Sequence, residues 1–147
     1  MNEFLSSGME ARQPIVSIII VNYNAGALLQ ECVKSVLSND TEVIVVDNNS
    51  YDDSIELLIA RFPHPQHPVN LIVNESNVGF AAACNIGART AAGKYLLFLN
   101  PDCRLDPGAL KTMLAVLENN HEVGMLGGLL VDPDGTEQGG GRRAVPT

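Results

Sequence analysis

Four short apolar runs, each cut off by a turn rich in asparagine and aspartate, constrain this chain more than any other feature. Ile15 to Val21 reads IVSIIIV and stops at Asn22-Tyr23-Asn24. Val43 to Val46 stops at Asp47-Asn48-Asn49-Ser50, and Val69 to Val73 stops at Asn74-Glu75-Ser76-Asn77. Tyr95 to Leu99 stops at Asn100-Pro101-Asp102. Continuous apolar and β-branched runs of this length predict buried strands, and Tyr95 to Leu99 reads as one covered on both faces. Pro101 has no N–H for a ladder and disfavours helix at Asn100, so the fourth strand ends there.

Between the runs the apolar spacing changes to that of helices. Ala27 to Leu37 carries Leu28, Leu29, Cys32, Val33, Val36 and Leu37 as one stripe. Ser54 to Phe62 makes a short helix ended by Pro63, Pro65 and Pro68. Gly79 to Ala92 is alanine-rich, with Phe80, Cys84 and Ile86 available for packing, and Gly93 is placed to end it. Small residues let such a helix lie close to a sheet. Asp106-Pro107 predicts the start of a fourth helix with Leu110, Met113, Leu114 and Leu117 as its buried stripe. Val123 to Val131 reads as a fifth strand with glycines inside it, followed by the turn Asp132-Pro133-Asp134-Gly135. Strand–helix alternation of this kind predicts an α/β, doubly wound, mostly parallel sheet with helices on both faces.

At 147 residues and 46% hydrophobic content the chain suits one domain with a sizeable core. The pattern divides it into a loose polar tail over 1–13, a folded region over 14–138, and a linker over 139–147 where the chain reads as truncated. No apolar run reaches the ~18 residues that span a bilayer, and the first residues lack the basic and apolar regions of a signal peptide. A formal charge of −8 argues against a nucleic-acid-binding surface. The three cysteines, Cys32, Cys84 and Cys103, show no metal spacing and read as small buried residues in a reducing compartment. His64, His67 and His121 lie away from the polar turns and read as exposed loop or helix-end residues.

In a parallel sheet the carboxyl ends of the strands share one edge, so the four polar turns are expected to form one crevice. That crevice is the usual ligand site of an open α/β sheet. An isolated Asn-Pro-Asp is more often plain turn chemistry, and the three companion turns change that reading. There is no GxGxxG after the first strand and no GxxxxGK[ST], which removes the main support for dinucleotide and P-loop readings. No Ser/His/Asp set is apparent. Tyr23 is able to stack on a base, Asp47 to accept from a base or ribose, and Asp102 to hold a divalent cation. An acidic protein that binds a nucleotide diphosphate needs such groups.

The stretches VSIIIVNYNAGALLQECVKSVL, EVIVVDNNSYDDS and NESNVGFAAACNIGARTAAGKYLLFLNPDC, with the helix that follows, carry a resemblance. The chain resembles the N-terminal, nucleotide-sugar-binding part of family 2 glycosyltransferases of GT-A fold, in their rhamnosyltransferase-like branch. The resemblance spans most of residues 16–131. It implies a Rossmann-like sheet of strand order 3-2-1-4. It also implies that Val21 and Tyr23 contact the base and that Asp47 reads the base or ribose. Asn77, Gly79 and Asn85 then lie beside the donor ribose and diphosphate. Asn100-Pro101-Asp102 stands at the D-x-D position, with Asn100 replacing the first aspartate and Asp102 as the metal ligand. A lone carboxylate holds Mg²⁺ or Mn²⁺ weakly unless substrate phosphates complete the shell.

The implied activity is inverting transfer of a sugar, with rhamnose expected, from a nucleotide diphosphate sugar to a polysaccharide or lipid-linked acceptor. The general base is expected in a C-terminal part, so these residues alone are expected to bind donor without turnover. Cytoplasmic location, peripheral association with the inner face of a membrane, and self-association through uncovered apolar surface are further expectations. A non-catalytic nucleotide-binding module is the alternative, and a nucleotidyltransferase a weaker one. The latter calls for a basic glycine-rich loop early in the chain, and residues 22–31 hold no Lys or Arg.

Overall fold

Val16–Asn22 (β1) runs parallel to Thr41–Asp47 (β2), in a register that sets Val16 beside Thr41 and Asn22 beside Asp47. Val69–Val73 (β3) pairs parallel to β2 on its far side, and Tyr95–Leu99 (β4) pairs parallel to β1. The order is therefore β3-β2-β1-β4, as the resemblance implies. These elements belong to a computed structural model that describes residues 13–38, 40–63 and 69–138. The tail over 1–12, Asn39, the stretch 64–68 with His64, His67, Pro65 and Pro68, and the linker over 139–147 lie outside the described residues. The chain divides into two compact units, with the boundary between Leu105 and Asp106.

In the first unit the helices are Ala27–Val36 (α1), Ser54–Arg61 (α2) and Phe80–Thr90 (α3). The chain moves one way across the sheet from β1 to β3, then returns past β1 to β4. Right-handed crossovers therefore place α1 and α2 on one face and α3 on the other. Alternation along the strands supplies both faces. Ile19 and Val21 of β1 and Ile44 and Val46 of β2 form a buried cluster with Ala83 and Cys84 of α3. Ile18, Ile20, Val43 and Val45 turn to the opposite side and are equally buried. Helix α1 buries Leu29, Cys32, Val33 and Val36, whereas Leu28 faces out.

Two glycines mark where α3 meets the sheet. A Cβ on Gly87 would come 2.7 Å from Ile19 Cγ2, so the expectation of a closely lying helix holds. Gly93 has a different task from the one expected. Helix α3 ends at Thr90 with Ala91 extended, and a Cβ on Gly93 would come 2.5 Å from the Ser17 nitrogen. Its role is close backbone approach, not a helix stop. The Gly93 N–H donates to Ser17 Oγ (2.8 Å), and the Ala92 N–H donates to Glu42 Oε2 (2.9 Å), which also accepts from the Ser17 hydroxyl. Phe80, which the sequence offered for packing, is more than half exposed.

The fourth strand departs from its expected cover. β4 lies at the sheet's end among the described strands, and Leu96 and Phe98 on one of its faces are 46% and 48% exposed. Its apolar run reflects this sheet position less than the uninterrupted composition suggested.

The second unit holds one helix, Ala109–Asn119 (α4). It starts later than Asp106-Pro107 because Gly108 takes a left-handed φ of 89° just before it. Leu110, Met113, Leu114 and Leu117 form its less exposed stripe, but no residue of α4 is buried. The expected fifth strand over Val123–Val131 does not form. A strand needs a ladder to satisfy its backbone, and in this unit only a single antiparallel bridge, Val131 to Glu137, is present among the described residues. The turn between them is as expected, with Gly135 at φ 86° and its N–H donating to the Asp132 carbonyl (2.8 Å). Among the described residues no helix is long and apolar enough to cross a membrane.

Candidate functional site

The strand ends do converge. Beyond the last ladder pairs, the Asn48 N–H donates to the Asn22 carbonyl (2.8 Å) and the Asn74 N–H to the Asp47 carbonyl (2.9 Å). Asn74 Nδ2 then donates to Asn48 Oδ1 (2.9 Å). These bonds extend the sheet by one row of turn residues and hold three polar turns level.

The turns after β1 and β2 are joined more densely than their sequence suggests. Asn22 is fully buried, and its Nδ2 lies 2.7 Å from Asp47 Oδ1, 3.0 Å from Ser50 Oγ and 2.8 Å from Ser54 Oγ. Two amide hydrogens are thus shared among three acceptors. Asp47 also accepts from the Ser50 hydroxyl (2.6 Å) and the Ser50 N–H (3.0 Å). The Asn24 N–H donates to Ser50 Oγ (3.0 Å), the Tyr51 N–H to Asn24 Oδ1 (2.9 Å), and the Gly26 N–H to Asp52 Oδ2 (2.8 Å). Asn24 and Asn49 take left-handed φ values of 56° and 63° within this lattice. Asparagine tolerates that region better than most residues.

Asp47 is only 2% exposed, so it forms the floor of the site and not its open wall. Asp52, at the rim, carries a lowered carboxyl pKa. Burial pushes it up, but the Ser54 hydroxyl and N–H and the Gly26 N–H together outweigh that.

On the other side of β1, Ile20 pairs with Leu99, which brings Asn100-Pro101-Asp102 beside the end of β1. The Asn100 carbonyl accepts from the Cys103 N–H (3.1 Å) and from the Cys32 thiol (3.4 Å), tying this turn to α1. Burial, then Cys103 and Asp102, push the Cys32 thiol up to about 12. Burial raises Cys84, and burial with the nearby Asp102 raises Cys103. Cys32 and Cys84 are buried as expected; Cys103 is partly exposed, because it sits in the turn.

The expected site residues therefore separate into groups. Tyr23, 48% exposed, and Asn100 and Asp102, both exposed, face outward at neighbouring strand ends. Val21 packs its side chain into the core under α3, so only its backbone is available to a ligand. Asn77 Oδ1 accepts from the Gly79 N–H (2.9 Å), and Gly79 (φ 84°) opens α3, on which Asn85 is exposed. Among the described residues no three His, Cys, Asp or Glu side chains gather as a cation site. Asp102, an exposed carboxylate whose Oδ1 accepts from the Cys103 thiol (3.7 Å), fits one position of a hard cation's oxygen shell.

Asn22, Ser54, Asp52 and Tyr51 were not singled out by sequence reasoning. Asn22 follows a confident strand and reads as an ordinary turn residue. Ser54 reads as the start of α2, and Asp52 carries no reading of its own. Only the cross-strand register reveals that they share one network.

Residues 17–144 match the profile of glycosyl transferase family 2. An uncharacterized glycosyltransferase of Haemophilus influenzae is 36% identical over 115 residues, which cover 76% of this chain and 37% of that protein. A chondroitin synthase of Escherichia coli is 32% identical over 115 residues, covering 76% of this chain and 16% of the synthase. Among solved structures, the mannosyltransferase PcManGT of Pyrobaculum calidifontis, in complex with GDP-Man and Mn²⁺, superposes with a TM-score of 0.64 at 25% identity. That match covers 71% of this chain and 32% of the mannosyltransferase. The chain thus spans well under half the length of each of these proteins.

Proposed function

This chain belongs to glycosyl transferase family 2, and on that premise we propose that residues 14–138 are the donor side of an inverting hexosyltransferase. The donor is a nucleotide diphosphate sugar, with rhamnose as the sugar. The acceptor is a polysaccharide or lipid-linked glycan at the cytoplasmic face of a membrane. One observation carries the reading. The strand order reverses between β1 and β4, and Tyr23, Asn100 and Asp102 stand exposed at that switch point. Open α/β sheets take their ligands there.

In this reading Tyr23 stacks on the base. Asp47 and the network around Asn22 hold that wall and meet the base or ribose from below. Asn77, Gly79 and Asn85 run along the ribose and diphosphate. Asp102, two residues after Asn100 in the same turn, is the place for Mg²⁺ or Mn²⁺. When bound, such an ion neutralises charge on the leaving diphosphate. No residue described here is assigned the base that deprotonates the acceptor. Asp134, near the end, instead caps its own turn by accepting from the Thr136 N–H (2.9 Å) and hydroxyl (2.6 Å).

The test is calorimetric binding of UDP-, dTDP- and GDP-sugars to the 147-residue chain, with and without Mn²⁺, for wild type and Asp102→Ala. We expect one class to bind, Mn²⁺ to tighten it, and Asp102→Ala to abolish that gain. Lack of binding in every arm sinks the donor reading; binding indifferent to Mn²⁺ removes Asp102 from its role. Transfer assays on a longer protein then separate an enzyme from a non-catalytic nucleotide-binding module.

A further inference from the structure

Among the described residues of the first unit Tyr51 is the most exposed aromatic side chain, at 84%, yet it has a defined aromatic neighbour. Its ring meets that of Tyr23 edge to face, with centroids 6.3 Å apart and planes at 86°. That lies within the usual geometry of aromatic pairs. The two tyrosines come from different turns, and each turn is pinned to the other beside them. The Tyr51 N–H donates to Asn24 Oδ1 (2.9 Å), and the Asn24 N–H donates to Ser50 Oγ (3.0 Å). Asn24, next to Tyr23, and Asn49, two residues before Tyr51, hold left-handed backbone. Such conformations persist when surroundings over-determine them, and they gather at binding sites.

An aromatic pair on a protein surface normally gains by burying its faces. Here Tyr51 is held with little burial against a half-buried Tyr23, leaving two flat apolar walls nearly at right angles. A corner of that shape suits a planar ring lying on one wall with its edge against the other. Nucleobases stack on such side chains irrespective of sequence, because every base has a π face. The Tyr51 hydroxyl adds a donor and acceptor at the rim, where it can meet the polar edge of a base.

We propose that Tyr51 is a second base-contacting residue, forming with Tyr23 an aromatic corner that holds the nucleobase of the donor. The proposal rests on the donor-binding reading and adds a residue that sets base preference. Tyr51 touches the base and takes no part in the sugar transfer itself.

The test measures UDP and GDP binding to wild type, Tyr51→Ala, Tyr51→Phe and Tyr23→Ala in the presence of Mn²⁺. Inorganic pyrophosphate is titrated as a competitor, so that a weak base-less probe is still read. Tyr51→Ala should weaken the preferred nucleotide about three- to tenfold, in line with the energy of an aromatic contact. It should alter the UDP-to-GDP ratio and leave the pyrophosphate constant unchanged. Tyr51→Phe should keep most of the affinity. Because Tyr51 is exposed, its urea midpoint serves as the control for folding. Equal weakening of nucleotide and pyrophosphate, or no weakening at all, overturns the proposal. Loss in Tyr23→Ala with none in Tyr51→Ala overturns it while sparing the donor reading. Wild type that binds no nucleotide overturns both.

Discussion

Asn22 donates from Nδ2 to Asp47 Oδ1 at 2.7 Å, joining the last residues of two adjacent parallel strands. Both side chains are withdrawn from solvent, and among the described residues Asn22 Oδ1 is itself buried without a hydrogen-bond partner. The bond converts two turn residues into the floor of a site. It also changes what the loss of Asp47 should do.

Asp47→Ala is expected to lower unfolding free energy by about 1–3 kcal/mol, the cost of orphaning buried hydrogen-bond partners. Urea denaturation reads this directly. Nucleotide affinity should fall as well, because Ser50 and Asn22 lose their common acceptor and the Tyr23 turn loses its support. An unchanged urea midpoint would remove the floor role; unchanged affinity in a folded variant would remove the link to the base.

Gly93→Ala should be worse than Gly87→Ala. A Cβ at Gly93 would meet backbone, the Ser17 nitrogen at 2.5 Å and the Val16 carbonyl carbon at 2.7 Å. At Gly87 it would meet side-chain atoms, Ile19 Cγ2 at 2.7 Å and Val46 Cγ2 at 3.2 Å. Overpacking costs about 1–3 kcal/mol, and alanine recovers part of that inside a helix. Thermal denaturation of the two variants should rank them in that order, and the reverse order would contradict the close approach at Gly93.

Asp52 should contribute to acid sensitivity. Its folded pKa is depressed, so the unfolded chain holds the proton more tightly. The stabilisation is therefore present above the ordinary carboxylate value of about 4 and is lost as pH falls through the lower folded value. Asp52→Asn should be less stable than wild type at neutral pH, with the gap closing in acid. Chemical denaturation between pH 7 and pH 3 checks this, and a gap that widens in acid would show the sign to be wrong.

Thiol labelling should follow exposure and ionisation together. Cys103 is partly exposed with a raised pKa, whereas Cys32 is buried with its thiol pushed up to about 12. The thiolate is the reactive form, so all three cysteines should react slowly at neutral pH, Cys103 first and Cys32 last. Peptide mass spectrometry after timed alkylation gives the order. Early modification of Cys32 in folded protein would mean that α1 opens away from the Asn100 turn.

The strand–helix alternation and the polar edge were legible in the sequence, because they depend on local periodicity and on chain connectivity, whereas the strand order came with the family resemblance. An uninterrupted run reports burial where both faces of its strand are covered, as at Ile18 to Val21, but not at Tyr95 to Leu99, where Leu96 and Phe98 stay about half exposed. Tyr23 and Asp102 were legible as outward-facing candidates for the same reason: each follows a strand whose end is set by its neighbours. Tertiary structure alone decided which turn residues became floor and which became wall. Asn22 and Asp47 look like their exposed neighbours in composition, but their register pairing turns them toward each other and away from water. Tyr51 gained meaning only from a ring that is distant in sequence, and Gly93 only from the Ser17 backbone lying against it. The Val123–Val131 stretch failed for the converse reason. Its apolar content was read correctly, but a strand is a relation between two segments, and no periodicity within one segment can supply the partner.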